Sequence, residues 1–160
     1  MDTNTNYKSE IPMKVQIEFA FVSKRVRILA IAIVVGIVLV FTAGIITSYM
    51  NVFPEKETYN LIAVIISAVL CISSYPVKRL LLKRVTEKKF MPSYFNASII
   101  PLALCDVGGL FGIATNLFIS VNIIYAVACL FISLLYLFLV FPRMKDLEYI
   151  DFEKNKIKVT

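Results

Sequence analysis

Residues 28 to 50 read ILAIAIVVGIVLVFTAGIITSYM and contain no charged side chain. At about 1.5 Å per residue, a helix of this length reaches roughly 35 Å, enough to cross the hydrocarbon core of a bilayer with some tilt. Lys24, Arg25 and Arg27 precede the stretch, as basic residues do in a secretory signal peptide. The apolar stretch is longer than the hydrophobic region of such a signal, and no A-x-A cleavage site follows it. We therefore expect a retained transmembrane helix.

A second apolar stretch runs from residue 59 to residue 82. Its strictly apolar part, residues 61 to 77, is short, and Pro76 lies near its end. Basic residues occupy and follow the last turns, namely Lys78, Arg79, Lys83 and Arg84. We expect the helix to continue to Leu82 while these basic groups reach out to the lipid headgroups on their aliphatic stems.

The remaining apolar stretch, residues 97 to 141, is too long for one span. As a single helix it would measure roughly 70 Å, about twice the thickness of the bilayer core. The chain must therefore turn back, and the polar sequence NLFISVN at residues 116 to 122 is where we expect the turn. This predicts a third span at 97–115 and a fourth at 123–141.

Lysine and arginine are unevenly divided among the segments outside these spans. They are frequent before the first span, between the second and third spans, and after the fourth. The first connection holds only Lys56, beside Glu55 and Glu57, and the third holds no charge. Because basic loops stay in the cytoplasm, four spans place all three basic segments on that side. We predict an all-α, integral membrane four-helix antiparallel bundle in the cytoplasmic (inner) membrane, with N and C termini cytoplasmic.

This topology divides the chain into a cytoplasmic N-terminal segment (1–27), a four-span transmembrane domain (28–141) and a cytoplasmic tail (142–160). Residues 11–27 fit two patterns, an apolar-polar alternation typical of a strand and an apolar stripe typical of a helix. We favour a helix that lies on the inner membrane surface and runs into the first span, because a lone strand has no partner. For the mixed-charge tail we expect a short helix.

Composition excludes several classes of function. The chain is 59% hydrophobic and only 18% charged, and its net charge of +6 comes from residues that flank apolar runs, which argues against a nucleic-acid partner. There is no histidine, and the three cysteines form no CxxC pair. We therefore expect no cofactor and no metal site. No catalytic motif or paired carboxylates occur within the apolar runs, so we predict that the protein is not an enzyme.

One acidic residue lies inside a predicted span. Asp106 is the only acidic residue within any of the four, near the middle of the third. An intramembrane carboxylate indicates function, because a charge in hydrocarbon is costly. We consider it a candidate ion or packing site. As a packing residue it would bond to a polar group on a neighbouring span: Ser67, Ser73, Asn116 or Ser133.

Glycines next to this aspartate indicate close helix contacts. Gly108 and Gly112 form a GxxxG pair, with Gly109 between them, and the first span offers Gly36 and Gly44. Small residues let helix backbones approach closely in a membrane. All five glycines are candidate helix-contact residues, and we expect the first and third spans to pack through these small faces.

The spacing of Asp106, Phe111 and Gly112 resembles the carboxylate helix of rotary ATPase proteolipid (c) subunits, acid-A-x-x-I-[YF]-G. In that family the acid binds and releases the transported proton or sodium ion, so the resemblance, over about seven residues, implies ion binding at Asp106. The segment also resembles uncharacterised four-span prokaryotic membrane proteins, which share an acid-x-x-x-x-[FY]-G helix and a closing Phe-Pro-Arg.

These observations lead to two functional hypotheses. The first is a small, non-enzymatic accessory or interaction protein, surrounded by membrane lipid and bound to a protein partner or to a second copy in a homo-oligomer. The alternative is a proton- or cation-handling membrane subunit that uses Asp106.

Overall fold

The computed structural model describes residues 13–50, 57–86, 89–119 and 121–150, and these residues form helices and no strand. The four α-helices are α1 (Met13–Met50), α2 (Glu57–Leu82), α3 (Phe90–Ala114) and α4 (Ile123–Val140). A π-helical turn, Thr115–Ile119, follows α3 directly, and a 3₁₀ helix, Met144–Tyr149, follows α4.

All four helices are long and apolar enough to cross a membrane, over Met13–Ser48, Thr58–Leu82, Phe90–Ile119 and Ile123–Val140. Helices suit these stretches because lipid offers no hydrogen bond to the backbone, so each peptide group must find its partner within the helix. The prediction of an all-α chain with four such helices is confirmed. Its length and composition are those of a multi-pass membrane protein.

Apolar side chains cover the outer faces of the helices. Residues that are more than half exposed include Ile31 and Leu39 on α1, and Phe131 and Phe138 on α4. A protein in water rarely exposes contiguous apolar surface of this extent, whereas lipid tails solvate it well. The outer surface therefore matches the membrane setting.

Helix α1 is continuous from Met13, so residues 13–27 are helical and belong to the same helix as the first span. Their inner stripe consists of Val15, Phe19, Val22 and Val26, all buried. The ring of Phe19 lies 5.2 Å from the ring of Tyr94 on α3. This segment therefore packs against the bundle along its buried stripe.

Helix α3 begins at Phe90, about two turns before the expected start of the third span at Ala97. Phe90 and Tyr94 are fully buried, and their rings stack with centroids 5.6 Å apart. Hydropathy does not reveal this extension, because Ser93 and Asn96 interrupt the apolar pattern there.

The π-helical turn leads into α4. The backbone N–H of Asn122 donates a hydrogen bond to the carbonyl oxygen of Asn116, 2.7 Å away, and this bond closes the turn. Val121 adopts φ = 44°, in the left-handed region that β-branched residues rarely occupy. The side chain of Asn122 then caps α4 by accepting the N–H of Tyr125.

Candidate functional site

Asp106 lies on α3 at the edge of its buried face, and its side chain is partly exposed. Its neighbours along the outer surface, Val107 and Phe111, are 57% and 43% exposed. Among the described residues, Asp106 forms no hydrogen bond and no ion pair. The one carboxylate inside a predicted span therefore faces outward from the bundle with no partner in this part of the chain.

None of the four partners that we considered for Asp106 bonds to it. Ser73 Oγ donates to the carbonyl oxygen of Leu70 on its own helix. The other three residues, Ser67, Asn116 and Ser133, are fully buried between the helices. The prediction of a bond to one of these four residues is wrong. Asp106 lies at the edge of the buried face of α3, whereas Ser67, Asn116 and Ser133 lie between the helices.

The three glycines of α3 lie at close contacts with α2 and α4. A Cβ added to Gly112 would meet Cys129 Sγ at 2.6 Å and Ser67 Cβ at 2.9 Å. One added to Gly108 would meet Leu70 Cβ at 3.0 Å, and one added to Gly109 would collide with the Ser133 hydroxyl. Hydrogen is therefore the only side chain that fits at Gly109 and Gly112 without movement.

The two glycines of α1 differ from each other. A Cβ added to Gly44 would meet Leu117 Cδ1 at 2.6 Å, so the absence of a side chain here lets the π-helical turn pack against α1. A Cβ added to Gly36 would meet nothing within 4 Å, so Gly36 lies at no close contact. Of the small residues expected to join the first and third spans, Gly44 lies against Leu117 and Gly109 lies near Ile37 of α1, whereas Gly36 takes no part and the α3 glycines lie closer to α2 and α4.

Helix α2 turns its polar residues inward. Asn60, Ser67, Cys71, Ser74 and Lys78 are all buried, and each is 4% exposed or less. Their spacings of seven, four, three and four residues place them on one helical face. The opposite face carries exposed leucine, isoleucine and valine. Average hydropathy does not reveal this spacing, because serine and cysteine scarcely lower the mean hydropathy of an apolar run.

Thiols and hydroxyls meet halfway along this face. Cys105 Sγ on α3 donates to Ser74 Oγ at 3.1 Å, and Cys71 Sγ lies 3.9 Å from the carbonyl oxygen of Cys105. Ser133 Oγ on α4 donates to the same carbonyl oxygen at 3.2 Å. One backbone carbonyl of α3 therefore joins polar side chains from α2 and α4.

A second polar cluster surrounds Gly112. Asn116 is fully buried, and its Nδ2 donates to the Gly112 carbonyl oxygen at 2.7 Å and approaches Cys129 Sγ at 3.7 Å. Its Oδ1 has no hydrogen-bond partner among the described residues, and the hydroxyl of Ser67 lies beside the thiols of Cys71 and Cys129. A buried polar atom without a partner is rare in folded proteins, because it has lost its contact with water and gained no hydrogen bond in return.

An ion pair closes the other end of the polar face. Lys78 Nζ lies 2.8 Å from both carboxylate oxygens of Asp146, which also accepts the hydroxyl of Tyr94 at 3.0 Å and the backbone N–H of Arg143 at 3.1 Å. Lys78 and Asp146 are 4% and 6% exposed. The expectation that Lys78 reaches out to the headgroups is therefore wrong, because an acidic partner from the tail draws it inward.

The chemistry available at these places is that of hydrogen bonds and proton transfer. The described residues contain no cluster of three or more His, Cys, Asp or Glu side chains that could hold a metal ion. The three cysteines are buried free thiols.

Comparison with family models, with curated proteins and with solved structures finds no match to this chain.

Proposed function

We propose that the protein is an antiparallel four-span bundle in the cytoplasmic (inner) membrane, with both termini in the cytoplasm. Contacts between distant segments support this arrangement. Lys78, near the end of α2, bonds to Asp146, just after the end of α4, and Arg27 Nη2 lies 3.5 Å from the carbonyl oxygen of Pro142. These groups share one end of the bundle, and positively charged ends stay in the cytoplasm.

We propose further that the protein is a non-enzymatic accessory or interaction protein that binds another membrane protein through the α3 surface around Asp106. The observation that carries this proposal is the absence of any partner for Asp106 among the described residues. A carboxyl group that faces lipid is costly, and a hydrogen-bond donor on a neighbouring helix would relieve that cost. A second copy of the chain is the other candidate occupant.

The proposal gives this chain no catalytic step, no cofactor and no nucleic-acid partner. Its basic residues have the distribution that membrane topology requires. In the part of the chain that the structure describes, the buried serines Ser67, Ser74 and Ser133 have no carboxylate or amine within hydrogen-bonding distance. Membrane lipid then surrounds the outer faces of the helices, and the partner protein replaces that lipid at Asp106.

Two variants of Asp106 and one control test this proposal. Asp106→Asn keeps hydrogen-bonding groups, whereas Asp106→Leu has none, and Val107→Leu changes the exposed neighbour without adding a polar group. Each protein is purified in mild detergent, and the mass of its complex is measured by light scattering. We expect Val107→Leu and Asp106→Asn to keep the complex of the wild-type protein, and Asp106→Leu to lose it. Recovery of the same complex from all three variants would refute the role of Asp106.

A second candidate function is proton or cation handling by Asp106, and the same unpaired carboxyl favours it. A carboxyl group of the carrier type should react with dicyclohexylcarbodiimide, and Asp106→Asn should abolish proton or sodium flux in proteoliposomes while the protein still assembles. A carboxyl that does not react at neutral pH, together with unchanged flux in Asp106→Asn, would exclude this candidate.

A further inference from the structure

Arg79 follows Lys78 on α2, and these two adjacent cations have different surroundings. The ammonium group of Lys78 is buried and pairs with Asp146. Arg79 is exposed, and it forms no ion pair among the described residues. Arg79 is therefore a cation for which this part of the chain supplies no anion.

Two tyrosine rings hold the guanidinium group of Arg79 in place. Its Cζ lies 4.6 Å from the ring centroid of Tyr75, one turn earlier on α2, and 4.9 Å from that of Tyr149, in the 3₁₀ helix that follows α4. Arg79 Nη2 also donates a hydrogen bond to the Tyr149 hydroxyl at 3.0 Å. These contacts restrict a side chain that otherwise samples many rotamers. The guanidinium group is therefore oriented before any ligand binds.

Arg79 and Tyr149 together present donors that have no acceptor. A guanidinium group carries several N–H donors, and among the described residues a single bond, to Tyr149, uses them. The Tyr149 hydroxyl accepts that bond, so its own proton is left to donate. Adjacent N–H and O–H donors fit an oxyanion, and a guanidinium group binds phosphate through two parallel hydrogen bonds.

The position of Arg79 along α2 is that of the lipid headgroups. From Thr58 to Val77 the helix carries no charged residue. From Thr58 to Arg79 it rises by roughly 32 Å, at about 1.5 Å per residue, which is close to the thickness of the hydrocarbon core. Leu80, the next residue, is apolar and 61% exposed. A lipid whose acyl chain lies against Leu80 therefore brings its phosphate to the level of Arg79.

The charge around Arg79 favours an anionic lipid over a zwitterionic one. Lys83 lies one turn later, and its backbone N–H bonds to the Arg79 carbonyl oxygen, so both side chains leave α2 on the same side. Arg84 and Lys145 are exposed as well, and Glu148 is the one exposed carboxylate of the 3₁₀ helix. This surface is therefore net positive, which attracts a headgroup with an excess of negative charge.

We propose that Arg79 and Tyr149 bind the phosphate of one anionic phospholipid of the inner leaflet. The guanidinium group supplies charge and N–H donors, the Tyr149 hydroxyl supplies a further donor, and Lys83 adds charge. The bound phosphate then joins the same two segments that the Lys78–Asp146 pair joins. The assignment to the inner leaflet rests on the proposed topology, whereas the binding itself depends neither on that topology nor on a partner at Asp106.

Native mass spectrometry of the full chain in mild detergent tests this proposal, because it counts the lipids that stay bound. Phosphatidylglycerol and phosphatidylcholine with the same acyl chains are the two probes, and a titration with each gives its Kd. We expect the wild-type protein to bind one phosphatidylglycerol about tenfold more tightly than phosphatidylcholine. Arg79→Gln should raise the phosphatidylglycerol Kd about tenfold, and so should Tyr149→Phe, which keeps the ring and loses only the hydroxyl.

Arg25→Gln is the matched control. Arg25 is exposed and its Cζ also lies over a ring, 4.6 Å from the centroid of Phe21, but its side chain forms no hydrogen bond among the described residues. This variant removes the same charge and should keep the wild-type Kd; elution from a size-exclusion column verifies that each variant assembles. Equal affinity of the wild-type protein for the two lipids would overturn the proposal. An unchanged Kd in Arg79→Gln, or an equal rise in Arg25→Gln, would also overturn it.

Inorganic phosphate is the probe for a soluble source of the same chemistry. It has no acyl chain to lie against Leu80, so at equal concentration it should leave phosphatidylglycerol bound. Displacement of the lipid by inorganic phosphate would overturn the assignment to a phospholipid in favour of a soluble phosphate compound.

Discussion

Lys78 Nζ lies 2.8 Å from each carboxylate oxygen of Asp146, a residue 68 positions later in the chain. The same carboxylate accepts the hydroxyl of Tyr94 on α3. One buried acidic group thus joins α2, α3 and the segment after α4. Removing either member of a buried ion pair leaves the other charge without compensation, whereas replacing both can be neutral.

Asp146→Ala should destabilise the protein by about 3–5 kcal/mol, because it leaves the ammonium group of Lys78 buried and unpaired. The double variant Lys78→Met/Asp146→Leu should recover most of that loss, since no buried charge remains. Unfolding in detergent, followed by circular dichroism, measures both. A double variant that is as unstable as the sum of its single changes would show that the pair is not coupled.

Tyr94→Phe should lower the free energy of unfolding by about 1.5–3 kcal/mol, because its hydroxyl donates to a charged acceptor. Tyr125→Phe is the matched control, since no hydrogen bond of the Tyr125 hydroxyl occurs among the described residues. The same unfolding measurement applies, and equal effects of the two changes would contradict the role of the Asp146 carboxylate.

Alanine at two glycines should have opposite effects. Gly112→Ala places a carbon 2.6 Å from Cys129 Sγ and should cost about 1–3 kcal/mol through overpacking. Gly36→Ala meets nothing within 4 Å and should stabilise α1 by about 0.5–1 kcal/mol through helix propensity. Thermal unfolding in one detergent compares them directly. Destabilisation by Gly36→Ala would mean that Gly36 does lie at a close contact.

Val121→Asn should stabilise the protein by about 1 kcal/mol, because asparagine tolerates the left-handed backbone at φ = 44° better than valine does. Asn122→Ala, at the next position, should instead cost about 1 kcal/mol by removing the cap of α4. Unfolding midpoints of the two variants should therefore move in opposite directions. A drop in stability for Val121→Asn would place the strain elsewhere.

Hydropathy predicted the four helices because apolar runs of sufficient length have few alternatives to a membrane span. The residues at which the helices begin and end were harder to predict from hydropathy. Residues 13–27 continue α1, and α3 begins at Phe90, because tertiary contacts such as that between Phe19 and Tyr94 support helix outside the purely apolar stretches. A pattern read along one helix does not contain those contacts.

The candidate site was predicted less completely. Asp106 was visible as a lone acid, but its position around α3 depends on which residues face α2 and α4. The ion pair was hidden for another reason: a lysine at a span end ordinarily extends to the headgroups, and only the fold brings Asp146 to Lys78. The inward polar face of α2 is visible only in the spacing of its polar residues along the helix, which an average of hydropathy does not record.

The most direct measurement of the membrane arrangement is thiol labelling from one side. Thr58 is exposed in the first turn of α2, Lys83 is exposed directly after its last residue, and the three native cysteines are buried. In intact cells, a membrane-impermeant maleimide should label Thr58→Cys at once and Lys83→Cys only after permeabilisation. Immediate labelling of both positions, or of Lys83→Cys alone, would contradict an antiparallel bundle with cytoplasmic termini.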